Sequence, residues 1–341
     1  MYLISVIRSA LAAFRVHVAR KQVFYRVLAA LGIIAFIALF LLLSPPADFP
    51  RGAALTVPEH ANLGAVSAEL EARGLIRSAF LFKAVGRVMR ADTRIKAGEY
   101  RFDEPQGMTH ILYRLEAGIS GLPTYRVTFP EGITVREMTE ILDETVPGFD
   151  ASAFRALAEP SEGYLFPDTY LLEEGTTPEE LIERMRGRFD EVWEEVHGEA
   201  EARYEDGSLA PMEPQHRIVI MASILEKETK PGVDRNIVSG ILWDRIAYGM
   251  PLQVDAVFGY IKGIDTFHPS GKDLELDSPY NTYRYRDLPP GPIGNPGRDA
   301  LESAFWPRLS NYTYYLFGND GQMHYAETFE EHKANKERYL R

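Results

Sequence analysis

Two glutamates on one apolar segment are the side chains of this sequence best suited to acid–base chemistry. Glu226 and Glu228 follow residues 218–225, whose apolar side chains cover nearly the whole circumference of a helix, so this helix is predicted to be buried. Burial disfavours the charged form and raises the pKa of a carboxyl above about 4.3, which allows it to act as a general acid near neutral pH. The two side chains leave the helix about 160° apart, and periodicity does not choose between them.

An ion pair is the alternative interpretation of the same two residues. Lys227, Lys230 and Arg235 lie close to the glutamates in the sequence, near the predicted end of the helix. A carboxylate that is paired with one of these cations stays charged and has a structural role. The residues alone leave both interpretations open.

Other kinds of catalytic site lack the residues that they need. The chain contains no cysteine, which excludes disulfides, thiolate zinc sites, iron–sulfur clusters and cysteine nucleophiles. Its eight histidines form neither an HExxH nor an HxH pattern, and the Walker, GxGxxG and GxSxG patterns are absent. We therefore expect no metal and no cofactor, and carboxylate chemistry remains.

An apolar N-terminal segment determines where in the cell the two glutamates are expected to lie. Residues 27–43 contain no charge and predict a transmembrane helix over 27–44, followed by a linker at 45–52. A cleavable signal peptide is the alternative, but the apolar run is long and no small-x-small cleavage site follows it. The basic leader, residues 1–26, holds five cations and no acid: Arg8, Arg15, Arg20, Lys21 and Arg26. The positive-inside rule then predicts a cytoplasmic N-terminus, a single-pass anchor in the bacterial inner membrane and an extracytoplasmic remainder.

The net charge of −12 is an average over two very different parts of the chain. The whole sequence of 341 residues has 37 Lys and Arg against 49 Asp and Glu, and all five leader cations precede the first acid. The part after the leader therefore carries 32 cations against 49 acids, a net charge of −17. Such an acidic body is a poor binder of nucleic acid, because phosphate binding needs a basic face.

A repeat with a period of 72 residues indicates two small α/β units. Residues 56–59 (TVPE) align with residues 128–131 (TFPE), and apolar residues follow each at helical spacing. Each copy predicts a strand, a turn and an amphipathic helix. In the second copy, Thr134 and Glu137 have the spacing of a capping box.

The rest of the sequence predicts a mixed α+β protein. Helices are expected near residues 80–89, 109–117, 179–204, 214–229 and 236–248, with a last helix from about 328. A strand is expected at 96–102 and a hairpin over 312–326. Residues 250–307 are rich in Pro, Gly and Tyr and are predicted to be mostly irregular, as long functional loops often are.

Several motifs, in order along the chain, resemble those of the endolytic murein transglycosylases, the MltG or YceG-like family. Residues 222–229 (ASILEKET) resemble the active-site helix of that family, and residues 162–170 (EGYLFPDTY) resemble a second signature. The further matches are 250–255 (MPLQVD), 280–283 (YNTY), 288–293 (LPPGPI) and 295–297 (NPG). Ala256 departs from the family's frequent proline, and residues 322–325 (QMHY) depart from its usual late turn.

The resemblance implies a domain order as well as a fold. It implies an α+β fold with one transmembrane helix, a LysM-like α/β module at residues 53–123 and a YceG-like mixed α+β catalytic domain at 124–341, which includes the second repeat unit at 126–146. A LysM-like module is a glycan-binding type of unit, and the repeat is compatible with one.

The resemblance also implies a reaction, with Glu226 as its catalytic residue. The family cleaves the β-1,4 bond between N-acetylmuramic acid and N-acetylglucosamine in peptidoglycan, and leaves a 1,6-anhydromuramoyl end. This is a lyase reaction, for which one carboxyl that first donates and then accepts a proton is sufficient. The residues expected to bind the glycan are Gln253, Asp255, Tyr280, Asn281, Thr282 and Tyr283, and a structural role is the alternative for each of them.

Two other functions remain compatible with the sequence. A non-catalytic cell-wall-binding scaffold would position peptidoglycan synthesis enzymes through the LysM-like module. A hydrolase would need a second carboxylate opposite Glu226, and Glu228 points away from that position. The expected partners are glycan strands, the membrane through its single helix and, by the resemblance, penicillin-binding proteins; nucleic acid is not expected.

Overall fold

The computed structural model describes residues 24–205, 213–229, 234–264 and 269–340. The chain divides into two compact units, Met1–Pro123 and Thr124–Arg341, here called the first and the second unit, and each is described by itself. The part of the basic leader that carries Arg8, Arg15, Arg20 and Lys21 lies outside the described residues.

One helix among the described residues is long and apolar enough to cross a membrane. Helix α1 (Phe24–Leu43) has 20 residues, and none of its most apolar stretch is buried. The Ser44 hydroxyl donates to the Phe40 carbonyl at 2.7 Å, and the two prolines that follow cannot continue the helix. The prediction of an apolar N-terminal helix is confirmed for the described residues.

The rest of the first unit is a small α/β module. Strand β1 (Ala53–Val57) pairs antiparallel with β2 (Gly98–Phe102), and Leu55 lies opposite Tyr100 on the buried face. Three helices cover that face: α2 (Leu63–Ala72), α3 (Ala79–Val88) and α4 (Met108–Ala117). The mixed α/β character is confirmed, while the LysM-like identity of the module stays a prediction.

The second unit begins with the second copy of the repeat. Strand β3 (Thr124–Thr128) pairs antiparallel with β4 (Thr169–Glu173), and helices α5 (Val135–Thr145) and α6 (Ala151–Ala158) pack beside them. Thr134 and Glu137 form the predicted capping box at the start of α5. Both copies of the repeat are therefore a strand, a turn and a helix, as the sequence predicts.

A helical layer around one central helix forms the rest of the second unit. Helix α8 (Gln215–Glu228) is that centre, because every residue from Ile218 to Leu225 is at most 2% exposed. The remaining elements are α7 (Pro178–Glu205), α9 (Arg235–Ala247), α10 (Ala256–Lys262), α11 (Arg298–Phe305), the hairpin of β5 (Tyr314–Phe317) and β6 (Met323–Ala326), and α12 (Phe329–Tyr339). Helices α9, α10 and α11 pack directly against α8.

Residues 250–307 are mostly irregular in their described part, as predicted, but two helices that the sequence did not predict, α10 and α11, lie within them. Both helices are short, with seven and eight residues, and the Pro- and Gly-rich stretches around them hide their periodicity. Packing against the apolar surface of α8 supplies the stability that such short helices lack on their own.

Candidate active site

Glu226 lies in the last turn of α8 with both carboxylate oxygens hydrogen-bonded. Arg235, the first residue of α9, donates to Oε1 at 2.8 Å, and the backbone N–H of Gly297 donates to Oε2 at 3.0 Å. The Glu226 side chain is 6% exposed and that of Arg235 is 15% exposed. Arg235 also donates to the Thr229 hydroxyl at 2.6 Å, which holds its guanidinium against the end of α8. Glu226 thus realises the ion-pair alternative, with Arg235 as the partner.

A glycine lets the loop after β3 approach this carboxylate. Gly132 has φ +77°, a left-handed conformation that favours glycine, and a Cβ added there would lie 3.1 Å from the Glu226 Cγ. The loop is paired with the strand-like segment before α11: the N–H of Gly132 donates to the Asn295 carbonyl at 2.8 Å. The backbone of two distant segments therefore encloses Glu226.

Asn295 joins three segments of the site and is fully buried. Its side-chain oxygen accepts hydrogen bonds from two backbone N–H groups, and its side-chain nitrogen donates hydrogen bonds to two oxygens. Both polar atoms of the Asn295 side chain are therefore fully hydrogen-bonded. The partners are Gly163 N at 2.9 Å, Leu165 N at 3.0 Å, Ile133 O at 2.9 Å and Glu162 Oε1 at 2.8 Å. Gly297, whose N–H donates to Glu226, lies two residues after Asn295 in the chain. The bonds of Asn295 therefore help to position that donor.

Glu162 is a second buried carboxyl of this region that the sequence did not single out as catalytic. Its oxygens accept the Val135 N–H at 3.2 Å and the Asn295 amide. Burial, partly opposed by the Val135 N–H, raises its pKa to about 7. In the sequence, Glu162 could be noticed as a candidate only because it begins the EGYLFPDTY motif. Its contacts with Val135 and Asn295 indicate a structural role, because they connect two loops.

Glu228 contacts a different set of residues from Glu226. Its Oε1 accepts the Ala256 N–H at 3.3 Å and its Oε2 accepts the Tyr315 hydroxyl at 3.1 Å. Burial raises the pKa of Glu228 to about 7, and the nearby charge of Asp255 acts in the same direction. The desolvated carboxyl that helical periodicity predicts is therefore present at Glu228.

The loops that hold the predicted glycan-binding residues form a cluster in which they contact each other and helix α10. The Gln253 N–H donates to the Thr282 carbonyl at 3.2 Å, and the Tyr283 hydroxyl donates to Asp255 at 2.5 Å. Gln253 and Asp255 are exposed, and Tyr280 and Tyr283 are half-buried. Within this cluster of loops, Asp255 and Tyr283 lie near Glu228, whereas Tyr280 packs against Tyr260 near Glu162.

Asn281 and Thr282 are buried within that cluster. The Asn281 side chain donates to the carbonyls of Leu274 and Leu276 at 3.0 and 2.8 Å, and the Thr282 hydroxyl accepts the Val254 N–H at 2.9 Å. These bonds fix the shape of the loops. A direct contact of the two side chains with sugar stays a prediction.

Comparison with known proteins identifies the family. The YceG-like family profile matches residues 55–338, which is most of the chain. This chain belongs to the YceG-like family.

Named relatives and a solved structure agree with this assignment. An endolytic murein transglycosylase of Bacillus subtilis is 27% identical over 313 residues, which cover 84% of each chain. An endolytic murein transglycosylase of Streptococcus pneumoniae is 27% identical over 321 residues, covering 82% of this chain and 57% of that relative. The crystal structure of a yceG-like protein from Listeria monocytogenes has a TM-score of 0.54 and 27% identity, covering 83% of this chain and 99% of that one.

A groove on the surface of this YceG-like protein adjoins the site. It is lined by polar side chains, among them Thr134, Arg136 and Lys227, by Tyr260 and by apolar side chains such as Ile293. Among the described residues, no group of three or more His, Asp or Glu side chains has an arrangement that would hold a metal ion.

The raised pKa of Glu228 predicts how the stability of this YceG-like protein depends on pH. A carboxyl with a folded-state pKa near 7 and an unfolded-state value near 4.5 stabilises the fold most below pH 4.5, and this contribution is lost as the pH rises through 7. Replacing Glu228 by Gln should therefore flatten the fall in unfolding free energy between pH 5 and pH 8, by at most about 3 kcal/mol. Urea unfolding of the full chain in detergent, followed by tryptophan fluorescence, measures this difference.

Glu194→Gln is the matched control for this measurement, because Glu194 is an exposed glutamate of the same unit. It should leave the pH dependence as it is in the wild type. An equally steep fall in the Glu228→Gln protein would contradict the assigned environment of Glu228.

Proposed function

We propose that this protein is a membrane-anchored endolytic lytic transglycosylase of peptidoglycan, a lyase that cleaves glycan strands between N-acetylmuramic acid and N-acetylglucosamine. Family membership and relatives named endolytic murein transglycosylases support the reaction class. The observation that carries the proposal is that the nearly buried Glu226 has a donor on each carboxylate oxygen.

Glu226 acts first as an acid in the proposed reaction. Its carboxyl proton passes to the glycosidic oxygen as the bond to C1 of the muramoyl residue breaks through an oxocarbenium-like state. The carboxylate that forms is stabilised in place by Arg235 and by the Gly297 N–H. These two donors therefore favour the transfer of the proton out of Glu226.

Glu226 acts as a base in the second half of the reaction. The C6 hydroxyl of the same muramoyl residue forms a bond to C1, and its proton returns to Glu226. The products are a 1,6-anhydromuramoyl end and a free hydroxyl on the leaving N-acetylglucosamine residue, and no water is consumed. A second carboxylate to activate water is not needed, in agreement with Glu228 being bonded elsewhere.

The cluster of Gln253, Asp255, Tyr280 and Tyr283 is proposed to hold the glycan strand, with Asn281 and Thr282 shaping its loops. Tyrosine rings offer flat faces for sugar rings, and the amide and carboxylate groups offer hydrogen bonds to hydroxyl and acetamido groups. Gln253 is exposed and has φ +54°, a left-handed backbone conformation that is uncommon outside glycine. Its exposure supports contact with a bound strand.

Helix α1 is proposed to anchor the protein in the inner membrane with the catalytic domain, residues 124–341, outside the cytoplasm. Leu43 at the end of α1 packs against the core of the first unit, and Arg77 donates to the Pro45 carbonyl at 2.9 Å. The linker at 45–52 therefore gives little reach, which favours newly made glycan beside the membrane as the substrate. Trimming or termination of nascent strands, glycan binding by the LysM-like module at 53–123 and association with penicillin-binding proteins belong to the same proposal.

Analysis of the reaction products tests this function. The full chain in detergent is incubated with purified glycan strands, and the new ends are identified by mass spectrometry. We expect 1,6-anhydromuramoyl ends, which are lighter than reducing ends by one water molecule. Reducing ends would instead identify a hydrolase, and strands that are bound without being shortened would identify a scaffold.

A further inference from the structure

Glu131 is an exposed carboxyl beside the nearly buried Glu226. Its carboxyl group lies against the Cα of Gly297, so that a Cβ added at Gly297 would overlap with it. The N–H of the same Gly297 donates to Glu226 at 3.0 Å. Two carboxyl groups from distant parts of the chain therefore meet at one glycine.

The backbone around Glu131 holds it in this place. The next residue, Gly132, donates to the Asn295 carbonyl, and the Asn295 N–H donates to the Ile133 carbonyl, each at 2.8 Å. Gly294 has no room for a side chain, because a Cβ there would overlap with the Gly132 carbonyl. The two loops are thus fixed to each other next to the carboxyl pair.

Four charged groups surround Glu131. Partial burial, followed by the negative charge of Glu226, raises the pKa of Glu131; Asp299 acts in the same direction and Arg235 in the opposite one. The Lys227 side chain lies against the neighbouring Gly132. Repulsion between two carboxylates is reciprocal, so an ionised Glu131 opposes a second negative charge on Glu226.

The proposed reaction creates a need for this repulsion. Arg235 and the Gly297 N–H both favour the ionised form of Glu226, whereas the first step requires Glu226 to carry a proton. We propose that Glu131 is a positioning residue whose negative charge offsets Arg235 and keeps a proton available on Glu226. The inference rests on the proposed function, since it assigns Glu131 a role in that reaction.

Removing the charge of Glu131 tests the inference. Glu131→Gln in the full chain should lower kcat on glycan strands about 10- to 100-fold at neutral pH, with little change in KM. The basic limb of its pH–kcat profile should move to lower pH by about one to two units, because the like charge is gone. Glu131→Asp keeps the negative charge, so the basic limb of its pH–kcat profile should lie close to that of the wild type.

Asp299→Asn is the matched control, because it removes one negative charge from an exposed residue that faces Glu131. It should keep the kcat and the pH profile of the wild type. An unchanged kcat and profile in Glu131→Gln would overturn the inference. So would a loss of activity that appears only in KM or is accompanied by loss of the fold.

A readout that does not use activity separates this inference from the proposed function. Unfolding free energies of wild type, Glu131→Gln, Glu226→Gln and the double variant form a double-mutant cycle. The coupling between the two carboxyls should be present at pH 8 and weaken as the pH is lowered, because protonation of either group removes the repulsion. Absence of coupling at pH 8 would overturn the inference, whereas coupling without any anhydromuramoyl product would support it and overturn only the proposed function.

Discussion

Glu226→Gln is expected to abolish the formation of 1,6-anhydromuramoyl ends. The amide can neither donate a proton to the glycosidic oxygen nor accept one from the C6 hydroxyl, and such catalysis is worth about 10²- to 10⁴-fold in rate. The amide oxygen can still accept a hydrogen bond from Arg235 or from the Gly297 N–H, but its NH₂ group must then face the other donor. The fold should therefore persist with a loss of about 1–3 kcal/mol of stability.

Mass spectrometry of the products, together with tryptophan fluorescence of the folded chain, measures both parts of this expectation. Glu228→Gln is the matched control, because it makes the same chemical change two residues away on a side chain with other contacts. That variant should still produce anhydromuramoyl ends. Normal amounts of these ends from the Glu226→Gln protein would contradict the assignment of Glu226 as the acid and base.

Asn295→Ala is expected to have the largest effect on stability. The change leaves two backbone N–H groups, one carbonyl and the Glu162 carboxyl without the partner that they have in the native structure. Buried groups that lose a partner cost about 1–3 kcal/mol each, with some relief from relaxation, so we expect a loss of roughly 3–5 kcal/mol. Activity should fall as well, because the loops that place Gly132 and Gly297 at Glu226 are no longer held together.

Urea unfolding followed by tryptophan fluorescence measures this loss. The three tryptophans, Trp193, Trp243 and Trp306, all belong to the second unit, so their fluorescence reports the part of the chain that contains Asn295. Asn335→Ala is the matched control, since Asn335 donates one bond, to the Tyr325 carbonyl at 3.2 Å, and should cost about 1 kcal/mol. An Asn295→Ala protein as stable as the wild type would show that its four bonds are unimportant.

Elements with strong local signals could be predicted from the sequence. Helix α8 has enough consecutive apolar residues to indicate a fully buried helix, and the structure agrees from Ile218 to Leu225. The capping box at Thr134 and Glu137 is present because it depends only on neighbouring residues. Helices α10 and α11 could not be found in this way, since their stability comes from packing on α8 and their own periodicity is too short.

The environment of each glutamate depended on residues far away in the chain. Periodicity assigns Glu226 and Glu228 equally apolar neighbours, yet Arg235 and Gly297 meet the first, and Ala256 and Tyr315 meet the second. The positions of Glu131 and Asn295 beside the site likewise follow from the pairing of two loops that are about 160 residues apart. No pattern of spacing in the sequence contains this information.

The sequence by itself determined the apolar N-terminal helix, the two strand–turn–helix units, the buried helix with its two carboxyls and, through its motifs, the resemblance to the YceG-like family. Hydrophobic periodicity and capping act over a few residues, so they can be recognised without a structure. Only the tertiary structure decided that Glu226 is held by Arg235 and Gly297, that Glu228 is the desolvated acid and that Glu131 shares a glycine with Glu226. The charge state of a carboxyl depends on donors and charges within a few ångströms, and folding brings those from distant segments.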